Sequence, residues 1–162
     1  MTFSQKFSVS QHVDNLLAAC FQSLFALRTL RQQHGLPDDA LHEAFHAVVI
    51  NKLTHASPAW WDLHADDRNR LEVFLRKSAK LGYRTKHSTT FASICDDADC
   101  KLFTRITGNT QHLLYPLLSP EHEHHYTQSL RQRSHNFQLP DRTTALRDKN
   151  FIIRMLYCDA LY

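Results

Sequence analysis

Glycine and proline are scarce in this chain, at 3 and 5 residues, so few positions can break a helix or carry the backbone through left-handed space. Alternating runs of Val, Ile and Thr are also scarce, which argues against a sheet. No apolar run approaches the ~20 residues a membrane helix needs. The opening "MTFSQKFSVS" lacks the apolar centre of a secretory signal. The four cysteines, Cys20, Cys95, Cys100 and Cys158, form no Cys-x-x-Cys pair. Reduced thiols in an intracellular protein, cytoplasmic or nuclear and without a membrane partner, are therefore expected. Also missing are a Gly-x-Ser-x-Gly elbow, a Gly-rich phosphate loop and a Cys–His pairing that spacing could support, so no nucleophile is assigned.

What is present is helical periodicity. At 162 residues, 43% of them hydrophobic and 22% charged, the chain can bury a core and has the composition of an ordered protein. A first helix is predicted from Gln11 to His34, with Val13, Leu16, Leu17, Cys20, Leu24 and Leu27 on one stripe. Gly35 suits a left-handed cap, and Pro37-Asp38 opens the next element. A second helix over Asp38–Leu53 carries Leu41, Ala44, Phe45, Val48, Val49 and Leu53, and the short connection predicts an antiparallel hairpin. Ser57-Pro58 ends it. Trp60 and Trp61 are expected to lock the following helix in place.

The third helix is predicted from about Asp67 to Leu81, with Leu71, Phe74, Leu75, Ser78 and Gly82 on one side. The fourth starts after the caps at Ser88–Thr90 and carries Phe91, Ile94, Cys95, Ala98, Leu102 and Ile106. From Ser119 to Thr143 the pattern dissolves into a His- and Arg-rich arm, and a short helix in "NFIIRMLYCDALY" docks through Phe151, Ile152, Met155 and Leu156. The expected architecture is all-α: a small helical bundle over 9–118, an irregular basic arm over 119–143 and a C-terminal helix within 144–162.

Four stretches invite a chemical reading. "ADD" at Asp66-Asp67 copies three letters of a Mg²⁺-holding carboxylate pair. An amphipathic helix follows it at once, so the acids are expected to cap that helix, where they meet the positive end of its dipole. "EHEHHY", with His122, His124 and His125, lacks the converging fourth ligand and fixed spacing of a zinc site and reads as a solvated loop. In "CDDADC", Cys95 and Cys100 point ~140° apart on a helix, which suits neither a shared metal nor a disulfide. No catalytic or metal-binding residue and no cofactor is therefore assigned.

The fourth stretch is the outer side of the third helix. Arg70, Arg76, Lys77 and Lys80 share that side, and Arg84 and Lys86 extend it. Such a stripe matches a phosphate backbone, though a plain solvated face has the same composition. The arm adds Arg131, Arg133 and Arg142, with Tyr126 and Phe137 interleaved, a combination able to stack on unpaired bases.

The order of segments resembles a known family. "HVDNLLAACFQSLFALRTLRQQHGLPDDAL" and "FHAVVINKLTHASPAWWDLHADDRNRLEVFLRKSAKLGY" carry Leu-Arg-x-Leu-Arg, Leu-x-x-Ala-x-x-x-Trp and Asp-x-x-x-Leu-Glu in sequence. "RSHNFQLPDRTTALRDKNFIIRMLY" closes the pattern. This looks like the region after the polymerase palm in reverse transcriptases of non-LTR (LINE, Jockey-like) retrotransposons, over Val9 to Tyr162. His55 stands where the family has Tyr, and Asp62 where Gly is common. The resemblance implies a thumb that grips the RNA/DNA template–primer duplex and packs against the palm and fingers of its parent polymerase. It also implies that the Mg²⁺-dependent RNA-directed DNA polymerase activity and its Asp pair lie outside this chain, which is then no enzyme on its own.

Overall fold

The apolar stripe of α1 (Ser10–His34) is realised residue for residue: Val13, Leu16, Leu17, Cys20, Leu24 and Leu27 are all buried. The computed structural model describes residues 9–59, 64–85, 89–121, 135–141, 144, 148 and 150–158. Gly35 ends α1 at φ 59°, ψ 36°, the left-handed cap its lack of a Cβ permits. The chain then enters α2 (Asp38–Phe45), which continues through a π-helical turn, His46–Ile50, into α3 (Asn51–Thr54). Arg31 reaches Asp38 at one end of this hairpin, and Lys52 donates to Ser23 Oγ further along, so the two arms are antiparallel as expected.

The π turn changes the register. An unbroken α-helix would bury Val48 with Val49; Val48 is 45% exposed, and Ile50 is buried in its place. One extra residue per turn rotates everything beyond it, so Leu41, Phe45, Val49, Ile50 and Leu53 all face the core. Ala56 follows at φ 57°, left-handed without being glycine, and the short 3₁₀ turn Ser57–Ala59 comes next. Trp60 and Trp61 lie outside the described residues.

Helix α4 (Ala65–Lys80) buries Leu71, Phe74, Leu75 and Ser78. It ends in a Schellman arrangement: the Gly82 N–H donates to Ala79 O, and the Tyr83 N–H to Ser78 O. Gly82 sits at φ 82°, and a Cβ there would stand 3.2 Å from the Arg31 guanidinium. Tyr83 is buried and stacks on Phe45, with ring centroids 6.3 Å apart. Helix α5 (Phe91–Thr107) starts at Thr90, whose Oγ accepts the Ser93 N–H at 3.3 Å. A carboxylate from α4 completes this start: Glu72 Oε2 accepts the Phe91 N–H at 2.8 Å.

The chain divides into two compact units, Met1–Asp96 and Asp97–Tyr162, and α5 runs across the division. The first unit's core joins the buried faces of α1 to α4 to Phe91, Ile94 and Cys95. The second unit gathers Phe103, Ile106, Phe137, Ile152, Met155 and Leu156. Its last helix, α6 (Phe151–Cys158), docks through the residues its pattern predicts.

Within the second unit, Phe137 belongs to the core, not to a solvent-facing arm, which corrects its reading as a base-stacking residue. The backbone beside it pairs Glu121 with Phe137 in an antiparallel bridge. His135 accepts the Phe137 N–H on Nδ1 and therefore donates from Nε2 to Leu156 O at 3.0 Å. Asp99, also unforeseen, is fully buried on α5 and accepts from Arg154 Nη2 at 2.6 Å. Among the described residues the fold is all-α, and no helix there is long and apolar enough to cross a membrane.

Candidate nucleic-acid interface

Helix α4 supplies the candidate surface, and its first turn fixes how the helix is held. His64 is the N-cap residue and makes no side-chain cap hydrogen bond. Asp66 and Asp67 are the second and third helical residues, favourably placed at the positive end of the dipole, but their expected capping role is only part of what is found. Asp66 is exposed, with His64 Nδ1 3.8 Å away. Asp67 is buried, accepting from Ser10 Oγ at 2.7 Å and from Arg70 Nη1 at 3.0 Å. It therefore ties the start of α4 to the start of α1.

Arg70, which the sequence places on the cationic stripe, is exposed and ion-paired. Its guanidinium spans Asp67 and Asp14, and the hydrogen bond to Asp14, then that to Asp67, pushes its pKa further up. Two carboxylates leave it little net charge to offer a phosphate. Arg84 is also committed: it is half-buried and donates to Thr89 O at 3.1 Å. Burial lowers its pKa, and the nearby Glu72 carboxylate opposes that shift. Arg76, Lys77 and Lys80 are exposed. Lys86, Arg131, Arg133, Arg142 and Tyr126 lie outside the described residues, as do His122, His124 and His125.

Alongside α4 runs α1, in the same direction. Ser10 meets Asp67, Asp14 meets Arg70, Phe21 meets Phe74 edge-on with centroids 5.1 Å apart, and Arg31 reaches Leu81 O. Phe25 lies one helical turn beyond Phe21 on α1, and Lys77 lies three residues beyond Phe74 on α4, both between the Phe21–Phe74 contact and the Arg31–Leu81 contact. Phe21 is 52% exposed and Phe25 72%; Leu81 and Arg28 are exposed as well. The sequence reading passed over Arg28 and both phenylalanines. The available signal was negative: Phe21 and Phe25 fall off the Val13–Leu27 stripe, so no core position accounts for them.

No Asp or Glu occurs between Ala18 and His34, or between Val73 and Cys95. Arg28, Arg76, Lys77 and Lys80 are thus exposed cations on segments that hold no carboxylate, with Glu72 one turn before Arg76 on α4. Among the described residues no group of three or more His, Cys, Asp or Glu side chains could hold a metal ion. Cys20 is buried, and burial pushes its thiol up to about 11, partly opposed by Lys52, so it is a core residue with no nucleophilic character at neutral pH. No protein-family profile, no curated protein and no solved structure matches this chain.

Proposed function

We propose that the chain binds nucleic acid without sequence preference, through phosphate contacts from Arg76, Lys77 and Lys80 on the outer face of α4, with Arg28 beside them. Lysine and arginine on one helix face engage phosphates by displacing condensed counterions, a term blind to base sequence. The observation that carries the reading is the separation of charge. Arg70 and Arg31 are neutralised by Asp14, Asp67 and Asp38, whereas the exposed cations of α4 border two acid-free segments. The resemblance to the post-palm region of non-LTR retrotransposon reverse transcriptases accords with this reading. In that setting the ligand is the template–primer duplex, and the chain is a non-catalytic part of a polymerase whose palm and fingers lie elsewhere.

Titration of an RNA–DNA hybrid at several salt concentrations tests the reading. Affinity should fall as salt rises, and Arg76→Glu with Lys80→Glu should weaken binding while lowering the slope of log K against log salt by about 2. Unchanged affinity and slope in that variant would remove α4 as the interface. A helical packing module without a ligand would show no salt-dependent binding at all.

A further inference from the structure

We infer that the α1–α4 seam is built for single-stranded nucleic acid, with unpaired bases stacking on Phe25 and Phe21 while Arg28, Lys77 and Lys80 hold the adjacent phosphates. The inference rests on the phosphate-contact reading of α4 and adds what that reading lacks, a reason for two exposed aromatic rings. Water contact at 72% of Phe25 and 52% of Phe21 is unfavourable for apolar rings. The two rings lie one helical turn apart, about 6 Å along the axis. Phe21 packs on the buried Phe74 in a T-shaped contact with centroids 5.1 Å apart.

The flanks select the occupant. A duplex hides its base faces and presents phosphates alone, so it would use the cations and ignore the rings. A single strand presents both, and base–aromatic stacking beside a basic track is the general solution for holding it. A second copy of this chain would bring the same exposed cations and be repelled. Arg70 does not compete for the strand, because Asp14 and Asp67 already hold it.

Fluorescence anisotropy with the full chain separates the two layers of the argument. The probes are an unstructured oligothymidylate of about 12 nucleotides and an RNA–DNA hybrid of equal length. Phe25→Leu keeps an apolar side chain at an exposed position and removes the ring. It should bind the oligothymidylate about tenfold more weakly, leave the hybrid unchanged and leave the salt slope unchanged. Phe25→Trp should restore the affinity, and its added tryptophan emission should be quenched by the oligothymidylate. Wild-type affinity of Phe25→Leu for the oligothymidylate would overturn the inference, as would an equal loss on both probes. If Arg76→Glu with Lys80→Glu still weakened hybrid binding in that case, the phosphate reading would survive without the stacking. Absence of salt-dependent binding to either probe would overturn both.

Discussion

In the N-terminal unit the pairs Arg31–Asp38 and Arg70–Asp14 are open to water on both sides, above a core made of aliphatic and aromatic side chains. In the C-terminal unit the ion pair among the described residues is inside. Asp99 is wholly buried, Arg154 is mostly so, and the guanidinium also lies 6.0 Å from the centre of the Phe151 ring. The first arrangement adds little to stability, because water screens both partners before and after folding. The second is conditional: the pair is tolerable only while both members are present, since either alone leaves an uncompensated charge in a low-dielectric interior. Among the described residues the pair adjoins a core of six buried apolar side chains, so its loss bears on the packing of α6 against α5.

The largest expected effect breaks this contrast from the C-terminal side. Asp99→Ala should cost about 3–5 kcal/mol, the usual penalty for orphaning a buried partner, and selectively unprotect amides of α6 in hydrogen exchange. Replacing both members with apolar residues, Asp99→Leu with Arg154→Met, should recover most of that loss in urea unfolding. A double variant as unstable as the single one would show that the pair contributes more than its mutual compensation.

In the N-terminal unit one sensitive position is geometric. Gly82→Ala should cost about 1–2 kcal/mol, because an L side chain at φ 82° is strained, and its Cβ would press on Arg31. Chemical denaturation measures it directly.

Alkaline titration gives a smaller effect. The Cys20 pKa is raised in the folded protein, so the thiol's contribution is fully present below pH 9 and is lost as pH rises toward about 11, where the folded thiol also ionises. Comparison with Cys20→Ala isolates it, since the variant should lack that part of the alkaline decline. At neutral pH a thiol reagent should modify the exposed Cys100 and Cys158 and spare Cys20. The smallest effect is expected at the rim: Asp14→Asn should barely move the denaturation midpoint. It would, however, return part of the Arg70 charge to the seam and raise nucleic-acid affinity.

How much of this the sequence disclosed depends on whether a residue's role is local. The α1 stripe, the Gly35 cap, the Thr90 cap and the docking face of α6 all follow from spacing and backbone preference within one element, and all are observed as read. Val48 and Ile50 exchange roles because a π turn has no sequence signature that a 3.6-residue period can detect. Asp99 was legible in principle, as an acid four residues from both Cys95 and Phe103 on a buried face, with an arginine set in the apolar "FIIRML". The fates of Arg70, Arg84 and Phe137 are tertiary. Asp14 lies 56 positions from Arg70 and Glu121 is paired with Phe137 across the polar arm, and no periodicity within one segment connects such partners. The candidate seam was half visible, as cations on α4; its aromatic half appears only when α1 is laid beside it.

The hydrogen bond from the Phe91 N–H to Glu72 concerns time as much as stability. The first amide of α5 is satisfied by a side chain 19 positions earlier, on a helix that leaves the ribosome before it. Until α4 has formed and presented that carboxylate, the start of α5 lacks one of its acceptors, and its nucleation is the costly step of helix formation. Once α4 is in place, the same carboxylate favours a helix beginning at residue 91, and Phe91, Ile94 and Cys95 then close over a surface already assembled. The connectivity thus makes the start of α5 depend on α4, a coupling that reaches across the 19 positions between them.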